Sequence, residues 1–194
     1  MTRMTLKVFA LAMAIVAFVG CGKSGFTDNR DGKIYATTTI GKQIWMAENL
    51  NYAMDGSWCY DDDPANCEKY GRLYTWDVAI KACPEGWHLP TNEEWDELKN
   101  AIGEELGTKL KSKEWNGTDA FGFNILPVGV RYRGRFQDGG IGGVGPAANF
   151  WTATEHNTIT RAFFIHLEER AELYSSSFTS DKYITAYSVR CVKD

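Results

Sequence analysis

Two stretches of this chain combine side chains suited to a polyhydroxylated ligand. Trp58 and Tyr60 flank Cys59 and lead into Asp61, Asp62 and Asp63. Arg131, Tyr132, Arg133, Arg135 and Phe136 lie just before a glycine-rich stretch, Asp138 to Gly145. Aromatic rings stack on the apolar faces of sugars, while carboxylate and guanidinium groups bond the hydroxyls. Trp58, Tyr60, Asp61, Arg131, Tyr132, Arg133 and Arg135 are therefore the candidate binding residues. Asp61 to Asp63 could also hold a hard cation such as calcium through carboxylate oxygens. Three adjacent acids in a loop ordinarily face solvent and repel one another, so no metal or cofactor is assigned.

Other chemistry is thinner. His88, His156 and His166 are scattered and read as structural histidines. Ser175 to Ser177 have acids in the chain to work with, but no nucleophile-elbow motif surrounds them. Gly140-x-Gly142-x-x-Gly145 matches a dinucleotide-binding fingerprint, yet Pro146 follows and no helix begins there. It reads as a loop, the kind of segment that often carries a binding surface. Asn116-Gly117-Thr118 reads as a turn. No catalytic residue is assigned, and the expectation is a protein that is not an enzyme.

The bulk properties agree with a binding domain. The chain has 194 residues, 44% of them apolar and 24% charged, which excludes a disordered protein. Its formal net charge of −4 disfavours nucleic acid, whose phosphates need clustered Lys and Arg. The long apolar run is Val8 to Val19, preceded by Arg3 and Lys7. It is too short for a membrane-spanning helix and fits the h-region of a signal peptide. It ends at Gly20-Cys21, which resembles the bacterial lipobox. That resemblance implies cleavage before Cys21, lipidation of its thiol and amine, and stable anchoring by several acyl chains. Residues 1–20 are then a lipoprotein signal peptide, 21–30 a lipidated tether and 31–194 the domain. The expected location is the cell envelope, at the outer membrane or the cell surface. The mature chain would be more acidic, because residues 1–20 contain two basic residues and no acid.

Four cysteines remain: Cys59, Cys67, Cys83 and Cys191. An even number in an exported protein suggests two disulfides, with three pairings open. Cys59 and Cys67 flank a turn-like stretch and are expected to pair locally. Cys83 and Cys191 would then tie the middle of the chain to its last strand. A four-cysteine zinc site is disfavoured, because no Cys-x-x-Cys pair is present.

Certain elements must position these residues. Lys33 to Ile40 and Gln43 to Met46, joined by Gly41-Lys42, predict a hairpin. Leu73, Trp76, Ala79 and Ile80 predict a helix over 72–82. Thr91, with Glu94 three residues on, predicts a second helix with a capping box, and Trp95, Leu98, Ala101 and Ile102 as its buried stripe. Gly103 is its expected C-cap. Strand-like runs follow at 121–130, 132–136, 150–154, 162–167, 173–178 and 186–192. Trp45, Trp76, Trp87, Trp95 and Trp151 are expected in the core. Segregated helices and strands predict an α+β domain with antiparallel sheet.

Several motifs, in order, resemble the Fibrobacter succinogenes major paralogous domain (FISUMP). They are Asp31-Gly32-Lys33-Ile34-Tyr35, then Gln43 to Tyr52 (QIWMAENLNY), Cys67 to Trp76 (CEKYGRLYTW), and Cys83 to Thr91 (CPEGWHLPT) with Glu94-Trp95. Phe150 to Glu155 (FWTATE) and Ser188 to Asp194 (SVRCVKD) complete the set. The family is typical of exported bacterial proteins and lipoproteins, and its biochemical role is largely unassigned. Leu89-Pro90-Thr91 with Glu94-Trp95, and Val189-Arg190-Cys191-Val192, further resemble formylglycine-generating enzymes. Those have a C-type-lectin-like architecture of two helices packed on twisted antiparallel sheets, with the termini close together. A Cys83–Cys191 bridge would imitate the helix-to-last-strand disulfide of C-type lectins. The calcium-dependent sugar motifs of those lectins are absent here, and the cysteines do not match the copper-binding spacing of the enzymes. The resulting expectation is non-catalytic binding or adhesion, to a polysaccharide or a surface partner. A structural role in lipoprotein assemblies, or a degenerate enzyme of the formylglycine type, is the alternative.

Overall fold

The computed structural model describes residues 24–139, 146–168 and 175–194. The expected signal peptide, the lipidation site Cys21 and the Gly140–Gly145 fingerprint lie outside them, as do the side chains of Ser175 to Ser177.

The chain opens with β1 (Gly25–Thr27), β2 (Ile34–Ile40) and β3 (Gln43–Met46). The hairpin predicted from its alternating residues is present, turning at Gly41. β1 was expected to be tether. Instead it pairs antiparallel with β2, and Phe26 stacks on Tyr35 and Trp87. An aromatic ring with two aromatic partners has a reason to leave solvent. Just after it, buried Asp28 accepts from Nε and Nη2 of Arg30, whose Nη1 donates to the Ala82 carbonyl at 2.8 Å. The folded domain therefore begins by Gly25.

Next come β4 (Ser57–Trp58), a 3-10 turn at Tyr60–Asp62, and helix α1 (Pro64–Tyr70). The sequence suggested only a turn between the first two cysteines. Asp63 caps α1 by accepting from Ala65 N at 2.9 Å, and Pro64 occupies the first turn, where its missing N–H costs nothing. The predicted 72–82 helix is shorter than expected. Leu73–Tyr74 form β5, and only Trp76–Ala79 form α2. Leu73 and Tyr74 are fully buried between β4 and a later strand, so sheet pairing overrides the helical spacing of Leu73 with Trp76. Ile80 is correspondingly exposed.

β6 (Trp87–His88) leads into α3 (Asn92–Ile102), which has the predicted capping box and Gly103 C-cap. Trp95, Leu98 and Ile102 are buried, whereas Ala101 is exposed. α4 (Leu106–Leu110) was not foreseen. The expected strand 121–130 is irregular until β7 (Val130–Tyr132), which turns at Arg133-Gly134 into β8 (Arg135–Gln137). β9 (Ala147–Glu155), β10 (Arg161–Glu168) and β11 (Ser175–Asp181) follow. The last predicted strand divides into β12 (Thr185–Ser188) and β13 (Val192–Lys193).

That division joins two sheets. One has the order β1-β2-β3-β13-β6; the other runs β11-β10-β9-β12-β5-β4, with β7 on β12 and β8 on β7. The strand pairs among the described residues are antiparallel apart from β9 with β12. The first and last described strands thus share a sheet. The structure is α+β, with four α-helices among the described residues where two were expected. Trp45 and Trp95 lie with Phe123 and Phe150 in one core cluster; Trp151 lies with Tyr35, Tyr74 and Tyr187 in another. Each such ring buries about 150–250 Å². Trp76 and Trp87 pack against the second cluster from partly exposed positions.

Both expected disulfides are present: Cys59–Cys67 and Cys83–Cys191. The first pins the 3-10 turn to α1. The second ties the segment after α2 to the crossover between β12 and β13.

Candidate functional site

The β7–β8 hairpin organises the candidate surface. Tyr132 pairs with Arg135, which leaves Arg133 and Gly134 as a two-residue loop. Both have positive φ, 48° and 78°, as a type I′ turn requires. Glycine adopts that conformation freely, but arginine does not.

On one side of this hairpin lies a cavity of about 730 Å³. Five rings line it: Tyr60, Tyr132, Phe136, Phe164 and Tyr187. Tyr60 packs on Phe136 at 5.3 Å between centroids, and Phe164 on Tyr187 at 4.7 Å. Polar groups come from Asp138, Asn149, His166, Ser180 and Thr185. The imidazole of His166 is held from both ends. Its Nδ1 lies 2.7 Å from Asn149 Oδ1 and its Nε2 lies 3.0 Å from Glu168 Oε1. Burial, then Asp61 and Asp138 nearby, raise the pKa of the Tyr60 phenol. Burial pushes the Tyr187 phenol up to about 12, against a hydrogen bond with Ser180. Both phenols are neutral at physiological pH, able to donate and accept hydrogen bonds but poor as nucleophiles.

The hairpin divides the candidate residues. Tyr60 and Tyr132 line the large cavity. Trp58, Arg131 and Arg133 line a smaller one of about 200 Å³, with Tyr183. Asp61 lines a third, beside Tyr60 and Asn66. Arg135 is exposed and lines neither of the first two. Trp58, Tyr60 and Asp61, neighbours in sequence, are thus distributed over three concavities. Asp61 and Asp62 are exposed at positive φ, and Asp63 caps α1. Among the described residues, no three His, Cys, Asp or Glu side chains gather as a metal-holding group.

The sequence missed much of the cavity wall. Asn149, Phe164, His166 and Tyr187 come from β9, β10 and β12, far along the chain from Tyr60. The one available signal was Phe164 and His166 at period two on one strand, which places them on a common face. Sequence reading assigned His166 a structural role; the ring is indeed buried and bonded at both nitrogens, and it also lines the cavity.

Residues 38–193 match the Fibrobacter succinogenes major domain. The chain belongs to this family. The match spans both disulfides, the cavity and both sheets apart from β1 and the first half of β2, so the Fibrobacter succinogenes major domain carries the candidate site. No curated protein and no solved structure matches the chain. With Cys59, Cys67, Cys83 and Cys191 all bridged, the domain presents no free thiol among the described residues.

Proposed function

We propose that this protein binds a polysaccharide without catalysis, from a lipid anchor in the cell envelope. The observation that carries the reading is the cavity under the β7–β8 hairpin, where five aromatic rings meet Asp138, Asn149 and His166. Rings for apolar sugar faces and polar groups for hydroxyls are what a glycan site requires. The anchor rests on Gly20-Cys21 after the apolar run, with the membrane as partner through Cys21 at the outer membrane or cell surface. The reading extends to a C-type-lectin-like fold. Two features support that: a disulfide from the α2 segment to the last crossover, and first and last strands in one sheet. No metal is required.

The test is a pull-down of the purified protein on insoluble plant and bacterial polysaccharides, with and without calcium. Retention on at least one, unaffected by chelation, is the expected result. No retention on any would overturn the reading in favour of assembly with other envelope proteins. For the anchor, Cys21→Ser should release the protein from membranes in fractionated cells, and continued membrane association would refute it.

A further inference from the structure

The small pocket on the other side of the hairpin has a different chemistry. Trp58, Arg131, Arg133 and Tyr183 line it, with Thr75 and Thr185. Two arginines line it, Arg133 with its guanidinium over the Tyr132 ring at 5.3 Å, and no carboxylate stands among its described lining residues, in a chain whose net charge is −4. A local reversal of sign of this kind draws anions.

Three details make it a built pocket. The Arg131 guanidinium lies over the Trp58 ring, 4.0 Å from its centroid. Stacking fixes the plane of the fork and leaves its N–H edges available for bidentate bonding. Second, Arg131 Nε is buried and finds no hydrogen-bond partner among the described residues. A buried guanidinium nitrogen without an acceptor is costly, and it shows that the protein itself does not fully satisfy this guanidinium. Third, Arg133 sits at φ 48° in a turn position that favours Asn, Asp or Gly. The turn is held by Arg133 N donating to the Ile184 carbonyl at 2.8 Å. A side chain kept in a strained backbone position points to a use for that side chain. Tyr183, 58% exposed, adds a ring at the mouth.

We propose that this pocket is an anion subsite that takes the carboxylate of a uronic-acid sugar between Arg131 and Arg133, with Trp58 and Tyr183 as its walls. This rests on the glycan-binding reading and narrows it to acidic polysaccharides. A planar carboxylate matches the guanidinium fork, and the sugar ring has aromatic surface to lie on.

Calorimetric titration of the purified protein with trigalacturonic acid, its methyl ester and cellotriose tests it. The acid should bind about tenfold or more tightly than its ester, because the ester removes the charge and keeps the sugar rings. Arg131→Gln and Arg133→Asn should each weaken the acid about tenfold. Arg133→Asn should also raise the melting temperature, because Asn suits the turn, so lost binding in that variant cannot be lost folding. Equal affinity for acid and ester would overturn the proposal, as would unchanged affinity in Arg133→Asn. So would dextran sulfate binding as tightly as galacturonate, which would mark an indiscriminate basic surface. If trigalacturonic acid fails while a neutral polysaccharide still retains the protein, only this inference falls. If nothing binds, the glycan reading falls with it.

Discussion

The guanidinium of Arg190 donates through both Nε and Nη2 to one oxygen, Oδ1 of Asn49, across 141 residues of chain. Arg190 is fully buried, lies over Phe123 and Phe150, and donates from Nη1 to the carbonyls of Met46 and Phe123. Burial pushes its pKa down to about 9, against the pull of Glu48 and Asp119, so it stays charged at neutral pH. A buried charge is tolerable only where its donors are satisfied. Asn49 also donates to the Tyr70 carbonyl at 2.9 Å. Beside it, Gly71 has φ 75° and no room for a Cβ, which would meet Asn49 Cβ at 2.7 Å and Leu50 O at 2.8 Å. One cation thus fastens the end of β3, the segment around Phe123 and the crossover between the sheets.

Asn49→Ala removes two acceptor contacts from that buried charge. The expected destabilisation is about 3 kcal/mol, read as a shift in the urea midpoint. A loss below about 1 kcal/mol would show that Asn49 is not what satisfies Arg190.

The two disulfides should differ in weight. Cys83–Cys191 closes 108 residues of chain and Cys59–Cys67 closes 8. In the chain-entropy model the first stabilises by about 4–5 kcal/mol and the second by about 2–3. Paired Cys→Ala variants, measured by chemical denaturation, should fall in that order. The reverse order would mean that the local bridge fixes native geometry more than it restricts the unfolded chain.

A histidine at the seam of α3 and the C-terminus should make stability depend on pH. His88 Nδ1 lies 2.6 Å from Asp194 Oδ1, and Nε2 lies 2.7 Å from Glu94 Oε1. Burial lowers its pKa, but the hydrogen bonds to Asp194 and Glu94 outweigh burial and raise it above 6.5. The folded state therefore holds the proton more tightly than the unfolded one. The stabilisation is complete below the ordinary histidine value and is lost as pH rises through the folded-state value. In the wild type the urea midpoint should decline over that window, and His88→Gln should flatten the decline. An unchanged slope in the variant would assign the pH dependence to other groups.

Much of this architecture was legible because it is written in local chemistry. Thr91 and Glu94 form a capping box whatever surrounds them, and Gly41-Lys42 turns a hairpin between alternating residues. The disulfides followed from cysteine parity and one short spacing. Local pattern failed where tertiary packing decides. Leu73 falls at helical spacing with Trp76, Ala79 and Ile80, yet it and Tyr74 are pulled into a sheet by β12. Val189, Arg190 and Cys191 look like continuous strand but cross between sheets, because Arg190 is bonded to Asn49 and Cys191 to Cys83. The candidate residues were recognised by type, while their division among three concavities depends on a turn at Arg133-Gly134 that their alternation does not reveal.

The large cavity gives the most direct test of the glycan reading. Tyr60 and Tyr132 reach it from separate elements, the 3-10 turn and β7, and neither is fully buried. Replacing them should therefore remove ring surface without opening the core. Tyr60→Ala together with Tyr132→Ala should weaken retention on the bound polysaccharide by about tenfold, since aromatic contacts are worth about 0.5–1.5 kcal/mol each. Phe164→Ala would be a poor substitute, because Phe164 packs on Trp151, Tyr187 and Phe178 and its loss would disturb the sheet. Depletion isotherms on the retaining polysaccharide, with a melting curve for each variant, separate weaker binding from poorer folding. A folded double variant with undiminished retention would place the contact surface elsewhere on the domain.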